Sequence, residues 1–265
     1  MFRSKTNQYS QVEHASMLRN VDVEVCPVGF LAIYLFSRFN LFHESFPDLT
    51  DASKWYPTKL IYGKSPNEIL NATSHSNCVQ KMIAKVKLSC TKITHIGRSS
   101  TVKKLDSLGC SEDQMMRAGR WKRERMYTNY CLNLPIEAMK LIAGANKEYG
   151  NYNINRAVLE PPESLVNQVF PQLVDYKNED ISQDTTAVKF KELLLWLSKV
   201  FIQDTAIFIH LDEFKGQKLF GLPIFSSQEF IQCSKMAIRS ELAYNNRPLQ
   251  ESVFISQAAP EIVVL

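Results

Sequence analysis

The chain has 265 residues, 45% of them hydrophobic, enough for a sizeable core in one large domain or two small ones and too apolar for a disordered segment. Its formal net charge of +4 is concentrated: residues 85–130 hold eleven Lys and Arg against four Asp and Glu, a local +7 in a chain that is −3 elsewhere, which suits contact with a polyanion. Six cysteines without a C-x-x-C pair, and a longest apolar run far short of the roughly 20 residues that cross a bilayer, argue against a zinc finger, a secretory signal and a membrane span, leaving a reduced, soluble, intracellular protein.

Residues 1–25 are polar and alternate in places, which predicts a small N-terminal antiparallel sheet, two short strands with a turn at 7–10. Cys26-Pro27 then opens a strongly apolar helix whose Phe30, Leu31, Ile33, Tyr34, Leu35, Phe36 and Phe39 crowd more than one face, as a central core helix requires. Residues 40–71 are irregular, with 59–64 extended, and Trp55 and Tyr56 read equally as core anchors or as groups near a partner. An amphipathic helix is predicted over 77–89, with Val79, Met82, Ile83, Val86 and Leu88 apolar and Lys81, Lys85 and Lys87 basic.

From His95 the pattern sharpens. Val102, Leu105 and Leu108 form a helical stripe that Gly109 ends with a left-handed cap. Ser111 opens a second helix, with Gln114 completing a capping box, Glu112 and Asp113 in the first turn, and Gly119 as a stop. Arg120, Trp121, Lys122, Arg123, Arg125, Tyr127 and Tyr130 follow, a basic run interleaved with aromatics. Helices are predicted over 135–145, briefly after Glu160-Pro161-Pro162, over 190–201 and over 228–243. The stretch 207–214 has no clean period, 220–225 is broken by Gly and Pro, and the end from Asn246 should fray. The polar stretch 177–186 reads as a linker between a domain at 1–176 and a helical C-terminal extension at 177–265.

Chemistry is specific in one place. His95 and Arg98 are three apart, so on a helix they share a face and can converge on a phosphate. With Lys85, Lys103, Lys104, Arg120, Lys122, Arg123 and Arg125 they form a candidate DNA-backbone surface, although a basic run without a motif is more often a solvated face. His14, His43, His75 and His210 have no convergent partners in sequence and read as surface or core histidines. There is no internal repeat, Walker loop, dinucleotide fingerprint or paired-carboxylate constellation, so neither a cofactor nor a metal is expected.

The segment 95–130 resembles the C-terminal core motif of the tyrosine recombinases: H-x-x-R, a helix-ending Gly fourteen residues after His95, Trp121 twelve further on, and Tyr130 nine beyond that. The flanks CPVGFLAIYLFSRF, AGANKEYGNYNINR and PPESLVNQVFP resemble a fungal branch of that family, which holds the Crypton transposon recombinases and the DNA-binding scaffold of the budding-yeast kinetochore. The resemblance covers most of the first two thirds of the chain. It implies a mainly α (α+β) fold, the helical core of a tyrosine recombinase catalytic domain beside the small N-terminal sheet. It also implies that His95, Arg98, Trp121 and Tyr130 occupy catalytic positions, with Lys5 the nearest match to the family's hairpin lysine. The family's first catalytic arginine lies upstream of that sheet, so the domain is expected to be N-terminally truncated and these positions vestigial.

The resemblance therefore implies sequence-tolerant binding of double-stranded DNA without catalysis, in a nuclear kinetochore or chromatin scaffold. A homodimer or protein complex through the C-terminal extension would go with it. A fragment of an active Crypton-type recombinase, or a helical interaction module with an accidental motif, are the other two readings.

Overall fold

The computed structural model describes residues 16–87, 96–119, 134–145, 152–174, 176, 181, 184–245 and 263–264. In chain order these form β1 (Ser16–Met17), α1 (Pro27–Phe36), α2 (Ala52–Trp55), α3 (Ala72–Lys85), α4 (Ile96–Ser107), α5 (Glu112–Gly119) and α6 (Ile136–Ile142). After them come α7 (Glu163–Val169), α8 (Thr185–Phe208), α9 (Pro223–Ser226), α10 (Gln228–Asn245) and β2 (Val263–Val264). The molecule is mainly helical, as the helices read from periodicity and the family resemblance imply.

Pro27 begins α1 at a position where its missing N–H costs nothing, and the Cys26 thiol accepts the Gly29 amide at 3.4 Å. The helix relaxes into a π-helical turn at Ser37–Leu41. Val28, Ala32, Leu35 and Phe36 of α1 are buried in the main core, where α1 packs on α8 and α8 on α10, and Phe36 stacks on Phe201 with centroids 4.2 Å apart. Leu165, Val166 and Val169 of α7 close the same core. Residues from both sides of position 176 thus share one apolar interior.

The longest helix, α8, exceeds the 190–201 expected from periodicity at both ends. Asp184 caps it by accepting the Thr186 and Ala187 amides, which places the end of the expected linker in a helical first turn. At the other end Gln203, Asp204 and Thr205 interrupt the apolar pattern, yet all three are buried. Asp204 Oδ1 accepts from Arg19 Nη2 and from Arg156 Nε, each at 2.6 Å, and Arg19 Nη1 donates to Gln203 Oε1 at 2.6 Å. Arg156 further holds the carbonyls of Val21 and Asn20 at 2.7 Å. The network fastens the segment before α1 to the middle of the core.

Other expectations shift for local reasons. Val23–Val25 is a 3-10 turn, not a strand, because Asp22 caps it through the Glu24 amide. β1 pairs antiparallel with β2, Ser16 opposite Val264 and Met17 opposite Val263, so the final residues find a partner near the start of the chain. The expected turn at 7–10 lies outside the described residues. The helix expected at 77–89 begins instead at Ala72, because Asn71 accepts the Ser74 amide at 2.7 Å, and stops before Lys87, whose φ of 55° is left-handed. The extended 59–64 arm is reduced to a bridge between Tyr62 and Ile69. Arg38, buried beneath it, donates to Glu44 and to the Lys59 and Leu60 carbonyls, and lies 4.6 Å from the Tyr62 ring centroid. Trp55 is a core anchor: it stacks on Phe190 at 5.7 Å and donates its indole N–H to Asp184 at 3.2 Å.

Candidate nucleic-acid interface

Three helices close a second, smaller core. Leu105 of α4, Cys110 in the turn, and Ala138 and Leu141 of α6 are buried together, with Met115 and Ala118 of α5 packed against them. The turn depends on Gly109, whose φ of 66° would cost an L-residue about 1–2 kcal/mol. Its N–H donates to Asp106 O at 2.9 Å and the Cys110 N–H to Leu105 O at 3.0 Å. These are the two bonds of a Schellman termination, and the buried Leu105 and Cys110 supply its apolar contact. The left-handed cap expected at Gly109 is therefore present.

The capping box expected next to it is not. The Ser111 hydroxyl donates to Glu137 on α6 at 3.2 Å, and the buried Gln114 Oε1 has no hydrogen-bond partner among the described residues.

Turning Leu105 inward leaves Gly97, Ser100, Lys103, Lys104, Asp106 and Ser107 exposed on α4. The Ser100 and Ser107 hydroxyls donate to Gly97 O and Lys104 O of their own helix at 3.1 and 2.8 Å, so the exposed charge is that of two lysines against Asp106, net positive. A Cβ placed on Gly97 would meet nothing within 4 Å, so the first turn is open to an approaching backbone. α5 presents the opposite charge. Glu112 and Asp113 are exposed in its first turn, where they suit the helix dipole, and Asp113 pairs with Arg117 at 3.2 Å. Phosphate would be repelled there, which makes α4 the anion-facing helix of the two.

Of the sequence-derived candidates, Lys103 and Lys104 share the exposed face of α4, and Lys85 is exposed at the end of α3. Arg98 stands in the first turn of α4, but its side chain, and His95, Lys5, Arg120, Trp121, Lys122, Arg123, Arg125 and Tyr130 entirely, lie outside the described residues. His43 and His75 are exposed, and His210 bonds the Ser234 hydroxyl at 2.7 Å, while His14 is outside the described residues. A cleft of about 590 Å³ beside α1, lined by Phe30, Phe42, Phe208, Phe214 and Phe220 with Lys218 its one charged residue, offers no phosphate cradle. Among the described residues no cluster of His, Cys, Asp and Glu could hold a metal, and no helix is long and apolar enough to cross a membrane.

A lysine-bearing helix turned to solvent suits contact with a polyanion. Residues 1–231 match the family described as centromere DNA-binding protein complex CBF3 subunit, domain 2, and the chain belongs to that family. No curated protein matches it individually. The sequence reading of a kinetochore DNA-binding family agrees with this membership.

Proposed function

We propose that this chain grips the backbone of double-stranded DNA with little regard to base sequence, as a recombinase-derived domain that does not cut it, within a nuclear centromere or chromatin assembly. The carrying observation is the match of residues 1–231 to a centromere DNA-binding family, supported by Lys103 and Lys104 on the solvent side of α4. His95, Arg98, Arg120, Lys122, Arg123 and Arg125 are the sequence candidates for the remaining backbone contacts. Contacts of this kind position a protein on the duplex and read no sequence.

Salt tests the reading. The logarithm of affinity for random duplex should fall with the logarithm of salt concentration by about 0.9 per neutralised phosphate. Reversing Lys103, Lys104, Arg123 and Arg125 to Glu should flatten that slope, and an unchanged slope would remove this surface from the interface. Arg98→Ala should weaken binding by about 1.5–3 kcal/mol, whereas Tyr130→Phe should leave it within about twofold of the parent.

The motif spacing favours one second reading, a portion of an active Crypton-type recombinase that cuts DNA through a phosphotyrosine. In that chemistry two arginines hold the phosphate as charge develops, a histidine assists proton transfer and a lysine protonates the leaving sugar oxygen. Within these 265 residues one arginine, Arg98, fits that pattern, and a missing oxyanion donor costs about 10²–10³ in rate. The chain alone should therefore form no covalent adduct with a nicked suicide duplex. A Tyr130-dependent protein–DNA band on a denaturing gel would establish the active reading.

A further inference from the structure

Helix α3 forms without burying any of its own residues. It is well terminated: the Asn71 side chain accepts the Ser74 amide at its start, and Lys87 adopts the left-handed conformation just past its end. Caps alone do not hold a helix of this length, since isolated helices shorter than about 12–15 residues are marginal in water even when alanine-rich. This one contains Thr73, Ser74, Ser76, Asn77 and Cys78, all poorer helix formers than alanine. Yet it carries a stripe. Ala72, His75, Val79, Met82 and Val86 recur at alternating spacings of three and four, the a and d positions of a heptad. Met82 is 67% exposed and Val86 63%, while Val79 and Ile83 are half-buried.

We propose that this face docks an acidic amphipathic helix of a partner protein. Charge selects the occupant. From residue 69 to residue 105 the chain has no Asp or Glu; Lys85 flanks the stripe in the last turn of α3 and Lys87 lies just past its end, both exposed. A second copy of α3 would set lysines against lysines. A DNA backbone would leave the Met82 and Val86 side chains in water. A helix with apolar a and d residues and glutamates at e and g covers the stripe and neutralises the lysines at its C-terminal end, the arrangement that sets partner choice in coiled coils. This assignment does not depend on DNA binding, and it gives Lys85 to the protein partner.

The test uses the full chain and a synthetic peptide of about three heptads with Leu at a and d and Glu at e and g. Fluorescence anisotropy should show saturable binding that Met82→Asp with Val86→Asp, and separately Lys85→Glu with Lys87→Glu, each weaken at least about tenfold. Both sites are solvent-facing, so the circular dichroism and melting of the variants should match the parent and exclude misfolding as the cause. A peptide with Gln in place of Glu should also bind more weakly. The proposal is overturned if the parent does not bind the peptide, or if the variants bind it as the parent does. It is equally overturned if the Met82→Asp change acts only by dissociating a dimer seen in sedimentation, by releasing the chain from anionic vesicles, or by lowering affinity for duplex DNA.

Discussion

Asp204 holds two guanidinium groups on one carboxylate oxygen while its other oxygen faces the Cα of Gly29. A Cβ at Gly29 would lie 1.9 Å from that Oδ2, too close for any side chain and with no room for a fully buried carboxylate to step aside. Gly29→Ala should therefore cost at least the 1–3 kcal/mol, roughly, of an overpacked core, read as a lower urea midpoint. Asp204→Asn keeps the volume and removes the charge, leaving Arg19 and Arg156 buried without a counter-ion. Loss of one partner from a buried ionic network costs about 3–5 kcal/mol, so this variant should be the less stable of the two. Neither arginine could be found from sequence. Arg19 sits in a polar run and Arg156 in an irregular segment. What marks them is contact with Asp204 across 185 and 48 positions, which no local period contains.

Among the elements, α8 and α3 show what local patterns do and do not reveal. The apolar centre of α8 was legible because Leu194, Leu197 and Phe201 repeat at helical spacing, but its start was obscured by the polar residues before Asp184. That carboxyl serves the backbone and the tertiary fold together. Although desolvation opposes it, the Ala187 amide, the Trp55 indole, the Thr186 amide and the Tyr56 hydroxyl hold its pKa below the ordinary value. The Lys54 ammonium, with Thr50, brings Asp48 down to about 2. Both folded-state values are depressed, so the stabilisation is present above the unfolded carboxyl pKa of about 3.9 and is lost as pH falls through the lower folded values. Melting points should accordingly drop between neutral pH and pH ~3. Asp184→Asn should lower the melting point at neutral pH and narrow that acid-side drop. An equal drop in the variant and the parent would remove Asp184 from the linkage. The start of α3 lies about one and a half turns before the expected Asn77, because the cap at Asn71 precedes a polar first turn that carries no apolar period.

At the scale of the whole molecule, the mainly helical class, the turn at Gly109 and the lysines of α4 follow from hydrophobic period and turn chemistry. The division of the chain does not. A polar stretch at 177–186 suggests a boundary, because polarity reports what a segment lacks and not what its neighbours bury. In the structure, Val28, Ala32, Leu35 and Phe36 of α1 share one core cluster with residues of α8 and α10, so the two sides of that stretch are parts of one interior. Truncation after Tyr176 tests this directly. It would remove Leu194, Leu197, Phe201, Phe208 and Phe230, all fully buried, and leave the apolar face of α1 in water. A buried Leu or Phe side chain contributes roughly 1.5–3 kcal/mol, so five such losses are comparable to the whole stability of a domain, about 5–15 kcal/mol. The truncated chain should show no cooperative melting transition and should lose its salt-dependent affinity for duplex DNA, even though every basic residue between 85 and 125 remains. A cooperative transition with DNA affinity intact would establish 1–176 as an autonomous domain, with α8 and α10 an extension packed upon it.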